Sequence, residues 1–442
     1  MNVKRICVWF MVLILLCGIL PCALAEQPES PAISFGYAKY LQNGFLYEPF
    51  DGSTVRYYDY AAGTRRILCT RPDCDHRQVG NIDLNDYHYS VAEFMNENPS
   101  LCYAARVAFA SQDNAYVMYG NKLYYFPSFY QESQPGTNTV PLYVSEVDGK
   151  TRLLTDLGYL FPGDCIPQPW EMLAYDGYLY IEVHLFENPD WEGTGSSGIL
   201  PGTIQLIKCS MDTGEASVLE SFWSEYCDFH CFGLYDGILY YLISTASGMG
   251  PAETELDYMR DTRSKTRYSV QGINVSTGEK VIPDPKLCNR SMDYGEAFDI
   301  VRDGVLYSII LPETAEDNTA LFLGYDLNRR ETVLEYSFAY CRTDYYPYRV
   351  LTDEIMLAFN FETGTFALQN LKTGEVRPLS IPGACIYGNE GQTDWYDIFT
   401  AYFQTDPLVL DHRFSETEVD KAYVTAEELL TGNPQIHDFT DQ

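Results

Sequence analysis

The chain has 442 residues, 62 of them acidic and 29 basic, so its formal net charge at pH 7 is −33. Nucleic-acid binding depends on lysine and arginine contacts to phosphate, so we expect neither nucleic acid nor an anionic membrane surface as a partner. The length suffices for a large buried core in one or two domains.

Residues 1–25 have the composition of a secretory signal peptide. Lys4 and Arg5 precede the uncharged run "ICVWFMVLILLCGIL", and Ala23 and Ala25 suit cleavage after Ala25. A transmembrane anchor is the alternative, because the apolar stretch is marginally long enough to span a bilayer. The segment that follows, "EQPESPA", has no basic residue, so we predict a cleaved signal, a secreted chain and no membrane insertion after cleavage.

A tight hairpin recurs along the rest of the chain. The segments "MLAYDGYLYIEV" from residue 172, "FGLYDGILYYLI" from 232 and "DIVRDGVLYSII" from 299 each place an Asp-Gly turn between two apolar and aromatic runs. Asp-Gly tolerates the positive φ angles of a two-residue turn, and the flanking residues favour strands. Equivalent turn positions are Gly44, Asn121, Gly177, Gly237, Gly304 and Glu354.

A second turn follows each hairpin, as in "LIKCSMDTGEASVL" from residue 206 and "VQGINVSTGEKVI" from 270. The Thr-Gly-Glu sequence could suggest a phosphate or calcium loop. A single glycine without a strand-to-helix transition is typical of a hairpin turn instead, so we interpret it as a turn. Each unit then supplies four strands.

Repeated four-stranded units predict an all-β fold, a β-propeller. We favour six blades over residues 26–410, with strands from the two chain ends completing a shared blade. A degenerate seventh blade in 383–410 is the alternative. Residues 411–442 are predicted to form a tail with a short helix capped by Thr425, and fraying is expected beyond Gly432.

Long insertions interrupt the repeat. The segments 127–141, 186–203 and 244–266 each fall between the second and third strands of a unit, and equivalent loops of a propeller open on one face. Exposed aromatic rings in such loops can hold sugars or peptides, so Tyr130, Trp191 and Tyr258 are the candidate ligand-binding residues.

A cysteine-histidine group lies in and before the insertion 70–113. The stretch "LCTRPDCDH" carries Cys69, Cys74 and His76, and Cys102 follows. Three thiolates and an imidazole could bind zinc. A disulfide between two of these cysteines, fastening the insertion, is the favoured interpretation, because exported chains can keep disulfides. No other cofactor is predicted, although the acidic surface could take calcium.

This motif, followed by "DGxLYY" and "TGE" units, resembles a group of exported bacterial β-propeller proteins of uncharacterised function. They are loosely similar to the propeller of low-density-lipoprotein receptors. The matching residues are Cys69, Cys74, His76 and Cys102, and the resemblance covers nearly all of residues 26–442. It implies a propeller fold and an extracytoplasmic location, and it implies no activity.

No nucleophile elbow, zincin helix, Walker loop or dinucleotide fingerprint is present. His184, near Asp190 and Glu192, is a weak acid–base candidate. We therefore predict a monomeric, secreted binding module that recognises an extracellular protein, peptide or glycan through its long loops, rather than an enzyme. The alternatives are a glycoside hydrolase or lyase acting on extracellular polysaccharide and a structural component of a cell-surface assembly.

Overall fold

The computed structural model describes residues 33–441 with gaps, the longest of which are 75–115, 127–138, 187–201 and 247–264. The strands form seven sheets that succeed one another along the chain, each built around four antiparallel strands. The chain is therefore an all-β protein, a β-propeller of seven blades. The favoured count of six blades is wrong, and the alternative of seven is confirmed.

The seven blades follow one another in chain order. Blade 1 consists of Ala38–Leu41, Gly44–Tyr47, Arg56–Asp59 and Thr64–Ile67, and blade 2 of Tyr116–Tyr119, Lys122–Tyr125, Pro141–Glu146 and Thr151–Asp156. Blade 3 consists of Ile166–Tyr175, Tyr178–Phe186, Gly202–Ser210 and Ala216–Ser224, and blade 4 of Tyr226–Tyr235, Ile238–Ala246, Arg267–Asn274 and Lys280–Val281. Blade 5 consists of Phe298–Arg302, Val305–Ile310, Thr319–Asp326 and Glu331–Ala339, and blade 6 of Tyr346–Val350, Ile355–Asn360, Thr365–Asn370 and Val376–Leu379. Blade 7 consists of Trp395–Tyr402, Leu408–Arg413, Val419–Val424 and His437–Asp438.

A few short elements accompany the blades. Additional strands are Ile33–Phe35 and Thr440–Asp441 on blade 1, Arg290–Ser291 on blade 4 and Ala384–Cys385 on blade 7. The helices in the described part of the chain include the 3₁₀ turns Leu157–Leu160 and Pro285–Leu287 and the α-helix Ala426–Thr431. Thr425 caps this α-helix in a capping box with Glu428. Within the described ranges, no helix has both the length and the apolar character that a membrane span requires.

The Asp-Gly hairpins form as expected. Asp176 and Gly177 have φ angles of 46° and 75°, and Asp236 and Gly237 have 48° and 70°, which is the positive-φ pair of a two-residue hairpin turn. The Thr-Gly-Glu segments are also turns: the Asn274 side chain accepts hydrogen bonds from the backbone of both Ser276 and Thr277.

The first strand of each unit lies nearest the centre of the ring. The first strands of blades 2 and 3 are in contact, and so are those of blades 4 and 5. The insertions within blades 2, 3 and 4 connect second to third strands, so the described strand ends that flank them lie at the end of the blades opposite the two-residue turns. The centre of the ring is thus bordered by the inner strands.

Apolar seams join blades 2 to 7 in succession. Between blades 3 and 4, Tyr180 and Leu206 pack with Leu239 and Tyr241 in one buried cluster. Similar clusters join blades 2 to 3, 4 to 5, 5 to 6 and 6 to 7. Each fully buried leucine, isoleucine or phenylalanine in such a seam stabilises the fold by about 1.5–3 kcal/mol.

The C-terminal residues close the ring. The strand Thr440–Asp441 pairs in parallel with Thr64–Ile67 at the outer edge of blade 1, and the Phe439 ring packs edge-on against Tyr58, with 5.0 Å between centroids. The expectation of fraying beyond Gly432 is therefore wrong, because the last residues add strands to blades 7 and 1. The two chain ends do share a sheet, as expected.

Candidate functional site

A cluster of polar side chains interrupts the inner two strands of blade 3. In the strand Tyr178–Phe186, Ile181 and Val183 face the seam with blade 2, whereas Tyr180 belongs to the seam with blade 4. Because side chains alternate along a strand, Glu182 and His184 point to the blade 4 side with Tyr180. An acid and an imidazole thus lie among residues that otherwise build an apolar seam.

Glu182 and His184 form a short hydrogen bond. The side chain of Glu182 is 2% exposed, and its Oε1 lies 2.5 Å from His184 Nε2. An ionised carboxylate only accepts hydrogen bonds, so the imidazole N–H donates. A buried carboxylate needs such a partner, because desolvation of an unpaired charge is costly.

Trp170 covers the histidine. Its indole stacks on the His184 ring with 4.8 Å between centroids and 24° between planes, and 39% of Trp170 remains exposed. The strand pairing shifts register between Pro169 and Glu171, so Trp170 sits in a β-bulge. Bulges redirect a side chain out of the normal alternation, and here the bulge leaves a tryptophan accessible on an inner strand.

Glu171 stands directly opposite Glu182 in the antiparallel pairing and is also buried. Directly opposed side chains have Cβ atoms about 4.5–5.5 Å apart, and like charges in this arrangement are destabilising. Glutamate is seldom buried, so two buried glutamates at opposed positions mark this strand pair as unusual.

The arrangement offers specific chemistry. A half-exposed indole can stack on a sugar ring or an aromatic or aliphatic side chain, and the adjacent imidazole and carboxylates can exchange hydrogen bonds or protons with a bound group. Burial raises the pKa of Tyr180 on the same side of the strand, so its phenol stays neutral. Among the described residues, no group of three ligating side chains could hold a metal ion.

The residues proposed from the sequence are only partly covered. Tyr130, Trp191 and Tyr258 lie outside the described residues, as do His76 and Cys102. Cys69 is buried with a free thiol, and Cys74 is half-buried. The ligand-binding residues and the choice between zinc and a disulfide stay predictions.

Sequence reasoning identified His184 but paired it with the wrong neighbours. Asp190 and Glu192 lie outside the described residues, and the observed partner is Glu182. A signal was available: "YLYIEVHLF" places a glutamate and a histidine two residues apart, on one face of an otherwise apolar strand. Trp170 could not have been found in this way, because a bulge determines its position.

No family model matches the chain, and no curated protein matches it. An oligogalacturonate lyase in complex with manganese is similar over 89% of this chain and 89% of that chain, at 11% identity and a TM-score of 0.42. An oligogalacturonate lyase from Vibrio parahaemolyticus is similar over 93% of this chain and 91% of that chain, at 9% identity and a TM-score of 0.42. The β-propeller domain of the Trilobed protease from Pyrococcus furiosus is similar over 89% and 93% of the two chains, at 9% identity and a TM-score of 0.36. With TM-scores this low, these likenesses carry no argument about function, and the assignment of the fold depends on the sheet topology.

Proposed function

We propose that the chain is a secreted β-propeller binding module that holds an extracellular peptide or glycan at the inner strands of blade 3. The observation that carries this proposal is the half-exposed Trp170, stacked on an imidazole that a buried glutamate fixes in place. Rigid aromatic groups of this kind provide much of the binding energy at recognition sites.

The test is a glycan and peptide array probed with residues 26–442, comparing two tryptophan variants. Trp170→Ala removes the stacking surface, and we expect a loss of about 2 kcal/mol, or roughly thirtyfold in affinity. Trp223→Ala is the matched control, because Trp223 is exposed on the outermost strand of the same blade. Equal binding by Trp170→Ala and the wild type would overturn the proposal.

A specific observation favours one second candidate, an enzyme acting on extracellular polysaccharide. Glu171 and Glu182 are buried at directly opposed positions, and retaining glycosidases use two carboxyl groups about 5–5.5 Å apart. The array ligands are therefore also assayed for product release. Turnover by the wild type that Glu171→Gln abolishes would replace the binding module with an enzyme, whereas binding without products supports the module.

A further inference from the structure

The N-terminal strand of the described chain lies on the axial side of blade 1. Ile33–Phe35 pairs antiparallel with Ala38–Leu41, the first strand of the blade, whose other edge is taken by Gly44–Tyr47. The blade thus gains one strand on the edge that faces the centre of the ring.

The same strand reaches the opposite part of the ring. Ile33–Phe35 also lies against Ile166–Tyr175 and Tyr226–Tyr235, the first strands of blades 3 and 4. Neither blade is a neighbour of blade 1 in the ring. A strand that pairs with blade 1 and contacts these two blades must therefore cross the central opening.

Inner edges of this propeller accept added strands at a second place. Ala384–Cys385 pairs in parallel with Trp395–Tyr402, the first strand of blade 7. The described first strands of blades 2 to 6 have a sheet neighbour on one side only. Their axial edges present N–H and C=O groups that an incoming strand can satisfy.

We propose that the central opening binds an extended peptide by strand addition, and that Ile33–Phe35 occupies this place in the ligand-free chain. This inference rests on the proposed function, because Trp170 lies on one of the inner strands that Ile33–Phe35 contacts. Strand addition selects a peptide over a glycan, since only a peptide offers alternating backbone donors and acceptors. The chain's own segment then competes with the ligand and lowers its apparent affinity.

The experiment prevents Ile33–Phe35 from pairing as a strand and supplies the same segment as a separate peptide. The variant Ile33→Pro/Ser34→Pro/Phe35→Pro removes the backbone donors of the strand, and the variant with three alanines at these positions keeps them. A fluorescent peptide of residues 30–37 is titrated into the wild type and both variants, with a scrambled peptide as the control. We expect the peptide to bind the proline variant at least about tenfold more tightly than the wild type, because the internal competitor is gone.

Two outcomes overturn the inference: equal affinity for all three chains, or no binding to any of them. Amide hydrogen exchange of the wild type gives a second measurement that does not depend on the proline variant folding. Amides of Ala38–Leu41 should exchange more slowly than those of Phe298–Arg302, whose axial edge is not paired in the described sheets. If the peptide does not bind while Trp170→Ala still weakens array binding, the proposed binding module is supported and only the inference about Ile33–Phe35 is wrong.

Discussion

The seams between blades 2 to 7 consist mainly of apolar side chains, whereas the seam between blades 7 and 1, which closes the ring, contains several charged side chains. Blades 5 and 6 meet through Phe322, Met356 and Ala358, all buried. Blades 7 and 1 meet through charges: the Tyr58 hydroxyl donates to Asp420 at 2.8 Å, and Arg65 pairs with both Asp420 and Asp441. Aromatic contacts from Phe439 accompany these ion pairs.

The difference follows from how each seam is specified. Successive blades are covalently adjacent and need only apolar complementarity, whereas the closing seam joins residues more than 360 positions apart, such as Tyr58 and Asp420. Only one alignment of the last strand pairs Arg65 with Asp441, so the charges select the register of closure. The closing seam should consequently respond to salt and acid more strongly than the apolar seams, which also carry ion pairs such as that of Lys280 with Glu220.

The largest effect is expected at the buried pair of Lys421 and Asp411, which are opposed on two strands of blade 7. Lys421→Met removes the nearest cation of the buried Asp411 carboxylate and leaves it with the longer ion pair to Arg413, at 3.5 Å. We expect a loss of about 3–5 kcal/mol in the free energy of unfolding, measured by urea titration. The double variant Asp411→Leu/Lys421→Met should recover most of this loss.

Leu357→Ala on the seam between blades 6 and 7 supplies the apolar comparison, with a loss of about 2–5 kcal/mol that salt does not change. If the double variant Asp411→Leu/Lys421→Met is as unstable as Lys421→Met, the loss of stability comes from losing the ion pair and not from the charge that remains on Asp411.

Arg65→Gln is expected to have an intermediate effect. Arg65 is mostly buried and bridges Asp420 to Asp441 through two different guanidinium nitrogens. We expect a loss of about 1–2 kcal/mol at low salt that shrinks at 1 M salt, and Arg65→Lys should not restore it, because an ammonium cannot span both carboxylates. Arg66→Gln is the control on the exposed neighbour. A loss independent of salt would contradict the electrostatic account.

Gly63→Ala tests how closely blades 7 and 1 pack together, and we expect it to have a smaller effect on stability. Gly63 and Gly177 both have positive φ, so alanine strains the backbone at each. An added Cβ at Gly63 would lie 2.8 Å from the Tyr423 hydroxyl, whereas nothing lies within 4 Å of one at Gly177. Thermal unfolding should therefore show Gly63→Ala to be less stable than Gly177→Ala by about 0.5–1 kcal/mol. Equal stability would mean that Tyr423 does not pack on this turn.

Acid should weaken the closure slightly. The hydrogen bond from Arg65 lowers the pKa of Asp441 below its usual value of 3.8. A carboxyl group whose pKa is lower in the folded state adds stability above its unfolded pKa, and this stability is lost as pH falls through the folded pKa. The wild type should therefore lose stability relative to Asp441→Asn below about pH 4. If the free energies of unfolding of the two chains change equally with pH, Asp441 does not contribute this pH dependence.

The repeated turns were predictable because a two-residue turn makes a strict demand on the sequence. Asp176, Gly177, Asp236 and Gly237 adopt the positive φ angles that their identity implied. Blade 7 was predicted only as an alternative, because no Asp-Gly turn joins Trp395–Tyr402 to Leu408–Arg413, and their pairing shifts register. A sheet shared by the two chain ends was predicted, but the pairing of Thr440–Asp441 with Thr64–Ile67 was not, since no local pattern reports a contact with Thr64.

The candidate site was predictable only in part. Alternation along one strand places Glu182 and His184 on the same side, and this follows from the sequence alone. The contribution of Trp170 depends on a bulge, and that of Glu171 on the register of two strands. Both are properties of pairing, which a single strand does not encode.

The most direct test of the difference between the seams is amide hydrogen exchange at 0.05 and 1 M sodium chloride. We predict that 1 M salt accelerates exchange in Thr64–Ile67 and at residues 437–441 much more than in Tyr178–Phe186 and Ile238–Ala246, because screening acts mainly on the closing seam. Exchange that is equally insensitive to salt at all seams, or opening first between blades 3 and 4, would contradict the account.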